Sequence, residues 1–86
     1  MVTRSAYMGF VATANRTANG RAIATIRRLR GLSQSDLAAA LDMSDSWMAA
    51  VEKGRVRPTR SKLDELARAL YCEVEAISFA TEVAAS

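Results

Sequence analysis

The chain has 86 residues, half of them hydrophobic and 24% charged, which is the size and balance of one small globular domain. With no histidine and one cysteine, it has no internal disulfide, no metal-ligand cluster, and no Cys–His or Ser–His pair for nucleophilic catalysis. The net charge of +3 is unevenly spread: residues 1–30 carry six arginines and no acid, whereas residues 63–86 carry one arginine against five acids. Such polarity predicts one face suited to polyanions and another that avoids them.

These absences argue against an enzyme, and no cofactor, metal or small-molecule ligand is expected. A lone Cys72 suits a reducing cytoplasm. Residues 1–19 form the first segment. The apolar run Ala6–Val11 behind Arg4 loosely imitates a signal peptide, but it is short and Gly9 interrupts it. The segment reads as a basic arm bearing Arg4 and Arg16, as a short extra element packed on the domain, or as a solvated tail. It includes a weak strand signal at Tyr7–Val11. No stretch is long enough to cross a membrane.

The domain proper is expected over residues 20–82. A first helix runs from about Asn19 to Arg30, with Ala22, Ile23, Ile26 and Leu29 as its apolar stripe and Gly31 as its stop. Ser33 then caps a second helix, with Asp36 completing a capping-box-like pair and Leu37, Ala38 and Leu41 on one face. Asp42 suits a tight turn, Ser44 caps a third helix, Met48 and Val51 point inward, and Gly54 ends it. A helix, a tight turn and a second helix form a helix-turn-helix, whose second helix can enter a DNA major groove. The basic stretch from Gly54 to Thr59 includes the only proline, and Thr59 or Ser61 caps a fourth helix carrying Leu63, Leu66, Ala67 and Leu70. A last short helix is expected from about Val74 to Thr81, offering Val74, Ile77 and Phe79 to the core, with residues 83–86 as a fraying tail.

Leu32-Ser33-Gln34, Leu37-Ala38, Met43-Ser44, Met48, Val51-Glu52, Gly54, Pro58 and Leu63, Leu66-Ala67, Leu70 together resemble the Cro/repressor-type helix-turn-helix family of phage repressors and xenobiotic-response-element-like regulators. The resemblance covers about residues 20–78. It implies an all-α, compact, four- to five-helix, lambda-repressor-like DNA-binding domain. It also implies roles by position. Gln34 grips a phosphate and braces the recognition helix. Asp45, Ser46, Ala49 and Ala50 read base edges, and Lys53, Arg55 and Arg57 touch backbone phosphates. Arg27 and Glu52 form a partly buried salt bridge. The chain departs from the family pattern at Asp42 and Tyr71, where glycine is usual, and in a recognition helix that carries Asp45, Trp47 and two alanines.

The residues themselves extend this picture. Lys53, Arg55, Arg57, Arg60 and Lys62 cluster just after the third helix, as a phosphate-binding group or as an ordinary solvated loop. Ser33 and Ser44 place helix starts, with their caps, where phosphates would pass. Asp45 either accepts from cytosine N4 or is simply a first-turn acid favoured by the helix dipole; Ser46 serves either kind of edge, and Ala50 touches a thymine methyl. Trp47 folds over the edge of the core, presses on a sugar or thymine methyl, or makes a protein contact. Cys72 is expected to be buried and inert. The apolar, acidic segment 71–83 is the candidate homodimer surface. The expected function is a sequence-specific regulator of transcription on double-stranded DNA, phage or bacterial, in the cytoplasm or nucleoid, controlled by concentration or partners. Two other readings stand beside it: a helix-turn-helix protein-interaction module (antitoxin, antirepressor partner or polymerase-binding factor), and an architectural or recombination-directionality DNA binder.

Overall fold

Four polar residues punctuate the chain. Asn19, Ser33, Ser44 and Thr59 each sit in extended backbone and accept a hydrogen bond from the N–H three residues on, so each opens a helix. Capping of this kind contributes about 1 kcal/mol per helix. At Ser33 the box is complete: its hydroxyl accepts from Asp36 N–H, and the Asp36 carboxylate accepts from Ser33 N–H, both at 2.9 Å.

A computed structural model describes residues 16–80. In chain order they form β1 (Arg16–Ala18), α1 (Gly20–Leu29), α2 (Gln34–Ala40), α3 (Asp45–Glu52), α4 (Arg60–Ala69), a 3-10 turn (Val74–Ile77) and β2 (Ser78–Ala80). The body is all-α, with its four helices closed around one core. Ile23, Leu37, Met48, Val51, Leu63, Leu66, Leu70 and Ile77 are its fully buried large side chains, one or more from every helix and one from the 3-10 turn. Among the described residues the chain reverses through left-handed residues at four places: Gly31, Asp42, Gly54 and Tyr71. Asp42 and Tyr71 adopt φ 59° and 57°, the left-handed conformation that glycine enters most easily, so both turns form without a glycine.

Several expectations need correction. The segment after α4 is not one helix to Thr81. It is a single 3-10 turn followed by β2, which pairs antiparallel with β1 in the register Arg16↔Ala80, Thr17↔Phe79, Ala18↔Ser78. Residues 16–18 of the first segment are therefore built into the body. Arg16 adds a side-chain lock, its Nε donating to Ser78 Oγ at 2.6 Å. In β2, Ser78 faces inward and is buried, while Phe79 faces out and is 55% exposed. Leu29 is also outside the core, 75% exposed, because the inner side of α1 is centred on Ile23, Ala24 and Arg27. Cys72 is half-buried, and burial pushes its thiol pKa up. Arg4, the Tyr7–Val11 signal and the tail 83–86 lie outside the described residues.

Candidate nucleic-acid interface

α2 and α3 are joined by a turn closed by backbone bonds from Asp42 N–H to Ala39 O and from Met43 N–H to Ala38 O. Lys62 Nζ donates to Leu41 O at 2.9 Å, tying the end of α2 to α4. Met48 and Val51 anchor the inner side of α3 in the core. The opposite side presents Asp45 and Ser46, both exposed, then Ala49 and Ala50, half-exposed, and Lys53 beyond the last turn.

Polar and steric contacts hold α3 from behind. Arg27 on α1 grips Glu52 with two bonds, Nε to Oε2 at 2.6 Å and Nη2 to Oε1 at 3.1 Å. Its third nitrogen donates to Leu32 O at 2.9 Å. Gln34 on α2 completes the set, Nε2 donating to Glu52 Oε1 at 2.9 Å. Side chains of the ion pair are 9% and 6% exposed, so desolvation alone would push the Glu52 carboxyl up. The bonds from Arg27 and Gln34 outweigh it and leave Glu52 below the usual carboxylate range. The same bond raises the Arg27 pKa against the opposing effect of burial. Gly20 sets the spacing between α1 and α3: a Cβ there would lie 2.4 Å from Glu52 O and 2.6 Å from Val51 O.

The predicted site residues fall into distinct settings. Asp45, Ser46, Ala49, Ala50 and Lys53 share one side of α3. The side chains of Lys53, Arg55 and Arg57 are exposed and make no hydrogen bond or ion pair among the described residues. The other two members of the basic cluster are engaged: Arg60 pairs with Asp64 at 2.9 Å, and Lys62 with Leu41 O and Glu65. Ser33 and Ser44 each spend a lone pair on their caps, and the Ser44 and Ser46 hydroxyls share a hydrogen bond of 3.2 Å. Gln34 is turned to Glu52. Trp47 is half-buried and packs on the edge of the core. β1 runs beside the basic loop: Thr17 and Ala18 line a cleft of about 90 Å³ with Val51, Gly54, Val56 and Arg57. Reading the residues one at a time misses Ser35, whose hydroxyl donates to Asp45 Oδ2 at 2.5 Å across the motif. Its only trace in the sequence is a polar residue near the start of α2, ten positions before an acid at the start of α3.

A family profile described as "Helix-turn-helix domain" matches residues 19–77, from the cap of α1 to the end of the 3-10 turn. The chain belongs to the helix-turn-helix family. The immunity repressor protein of Bacillus phage phi105 is 40% identical to this helix-turn-helix domain over 58 residues, which is 67% of the chain and 40% of the repressor. The chain therefore spans about two fifths of the length of that relative. Among solved structures, the restriction-modification controller protein C.AhdI from Aeromonas hydrophila superposes with a TM-score of 0.63 at 30% identity, over 66% of this chain and 83% of that one. A transcriptional regulator of the HTH_3 family from Vibrio cholerae shares the fold, with a TM-score of 0.60 at 24% identity, over 78% of this chain and 35% of that one.

Proposed function

We propose that this helix-turn-helix domain is a sequence-specific regulator of transcription that lays α3 in the major groove of double-stranded DNA and acts as a repressor. The observation that carries this reading is the outer side of α3. It bears small and short polar side chains, with nothing bulky to block a groove, and is followed at once by three exposed cations with no internal partner. An unpaired cluster of this kind suits phosphates, whose neutralisation releases condensed counterions. Asp45, Ser46, Ala49 and Ala50 meet base edges. Lys53, Arg55 and Arg57 meet the backbone, with Ser33, Gln34, Ser44 and Arg60 at its margins. The kinship with a phage immunity repressor and a controller protein supports regulation rather than catalysis, and a cytoplasmic setting.

A domain this small contacts few base pairs, so two copies reading half-sites about 34 Å apart fit the reading best. Tyr71 and Phe79, 82% and 55% exposed, supply the apolar part of the homodimer surface within residues 71–83. The test is a binding titration on selected duplexes across a salt series. Replacing Lys53, Arg55 and Arg57 by alanine lowers the slope of log affinity against log salt by about 2.7 per protomer, at roughly 0.9 per phosphate contact. Binding that ignores salt, or a slope unchanged in the triple variant, sinks the reading.

A further inference from the structure

We infer that Ser35 is a positioning residue that holds the Asp45 carboxylate for one task, accepting the exocyclic amine of a cytosine in the major groove. The inference rests on the reading of α3 as the recognition helix and adds a base preference to it.

Asp45 opens α3, yet it does not cap it. That task belongs to Ser44, whose hydroxyl accepts from Trp47 N–H at 3.1 Å. Among the described residues, no cation pairs with the Asp45 carboxylate; its partner is the Ser35 hydroxyl, which donates to Oδ2 at 2.5 Å from the neighbouring helix. One oxygen is thus spent on fixing the side chain, and Oδ1 is left as a bare acceptor on an exposed surface. An unneutralised carboxylate on a face that meets a polyanion is repelled unless the groove supplies a donor. The major groove offers two, cytosine N4 and adenine N6. Adenine sets its N7 acceptor beside that donor, which opposes a group that can only accept. Cytosine presents N4–H₂ with no acceptor of its own beside it, so the carboxylate selects cytosine. The Ser35 bond matters because a side chain already held in place loses less conformational freedom on binding.

The experiment is selection of bound duplexes from a random pool with the full chain, repeated for Asp45→Asn, Ser35→Ala and Ser35→Thr. The natural chain enriches cytosine at one position of each half-site, with discrimination of about tenfold or more over other bases. In Asp45→Asn that position moves to adenine, because a carboxamide both donates to N7 and accepts from N6. Ser35→Ala keeps cytosine but lowers discrimination several-fold at that position alone, and Ser35→Thr restores it. The inference is overturned by a profile without the cytosine, by an Asp45→Asn profile identical to the natural one, or by a Ser35→Ala profile that weakens at every position equally. A chain that selects no duplex overturns the regulator reading as well, whereas one that selects a site without cytosine overturns this inference alone.

Discussion

Removing one partner of the Arg27–Glu52 pair tests how α3 is held. In Glu52→Met the Arg27 guanidinium, 9% exposed, keeps its bond to Leu32 O and loses both bonds to carboxylate. A buried charge stripped of its counter-ion costs about 3–5 kcal/mol. A chain of 86 residues has roughly 4–13 kcal/mol of stability in total, so this is about a quarter of it or more. Arg27→Met strands Glu52 with Gln34 alone and loses a similar amount. The double variant Arg27→Met/Glu52→Met buries no charge and is expected to lose less than either single variant. Urea unfolding followed by circular dichroism and by the fluorescence of Trp47, the sole tryptophan, reads all four forms. If the two losses simply add in the double variant, within about 0.5 kcal/mol, the pair is not a buried couple and the argument fails. The same pair responds to pH. Glu52 has a lower pKa in the folded chain than the ordinary 4.5, so folding favours its ionised form. The stability it contributes is whole above that value and is lost as pH falls through the lower, folded value. Asp36, lowered by the backbone bond from Ser33, adds a slope of the same sign, so Glu52→Met flattens the acid limb without abolishing it.

Three further outcomes follow from the backbone and the charges. Tyr71→Gly relieves a left-handed residue, worth about 1–2 kcal/mol, against about 0.5–1 kcal/mol of extra unfolded-chain entropy, and is expected to raise stability slightly in urea melts; a drop in stability contradicts the strain argument. Gly20→Ala forces a methyl into the carbonyls at the end of α3 and is expected to cost about 1–3 kcal/mol despite the better helix propensity of alanine; an unchanged or raised midpoint removes Gly20 as the spacer. The salt slope of the Lys53, Arg55 and Arg57 variant separates cations that meet phosphate from cations that are merely solvated.

Helix starts, the two-helix motif and nearly all of the core were legible because they depend on neighbours within four residues: a capping hydroxyl, its acid three places on, and apolar positions at helical spacing. The ribbon was not. Arg16–Ala18 and Ser78–Ala80 are three residues each, too short to show alternation, and they meet only because the whole chain folds between them. Leu29 and Phe79 failed for a related reason. Hydrophobicity marks what is able to be buried, and the choice between Leu29 and Arg27 was made by Glu52, 25 residues away from Arg27. In the candidate site, position along α3 placed Asp45, Ser46, Ala49 and Ala50 on one side. The engagement of Arg60 and Lys62, and the Ser35 bond to Asp45, came from long or flexible side chains whose partners no local pattern names.

The register of the ribbon also means that the described body is entered and left at one spot, since Arg16 and Ala80 are opposite one another. A truncation that removes Arg16–Ala18 therefore leaves Ser78–Ala80 without its partner strand. An expression design that treats Arg16–Ala18 as dispensable loses the seam that closes the described body.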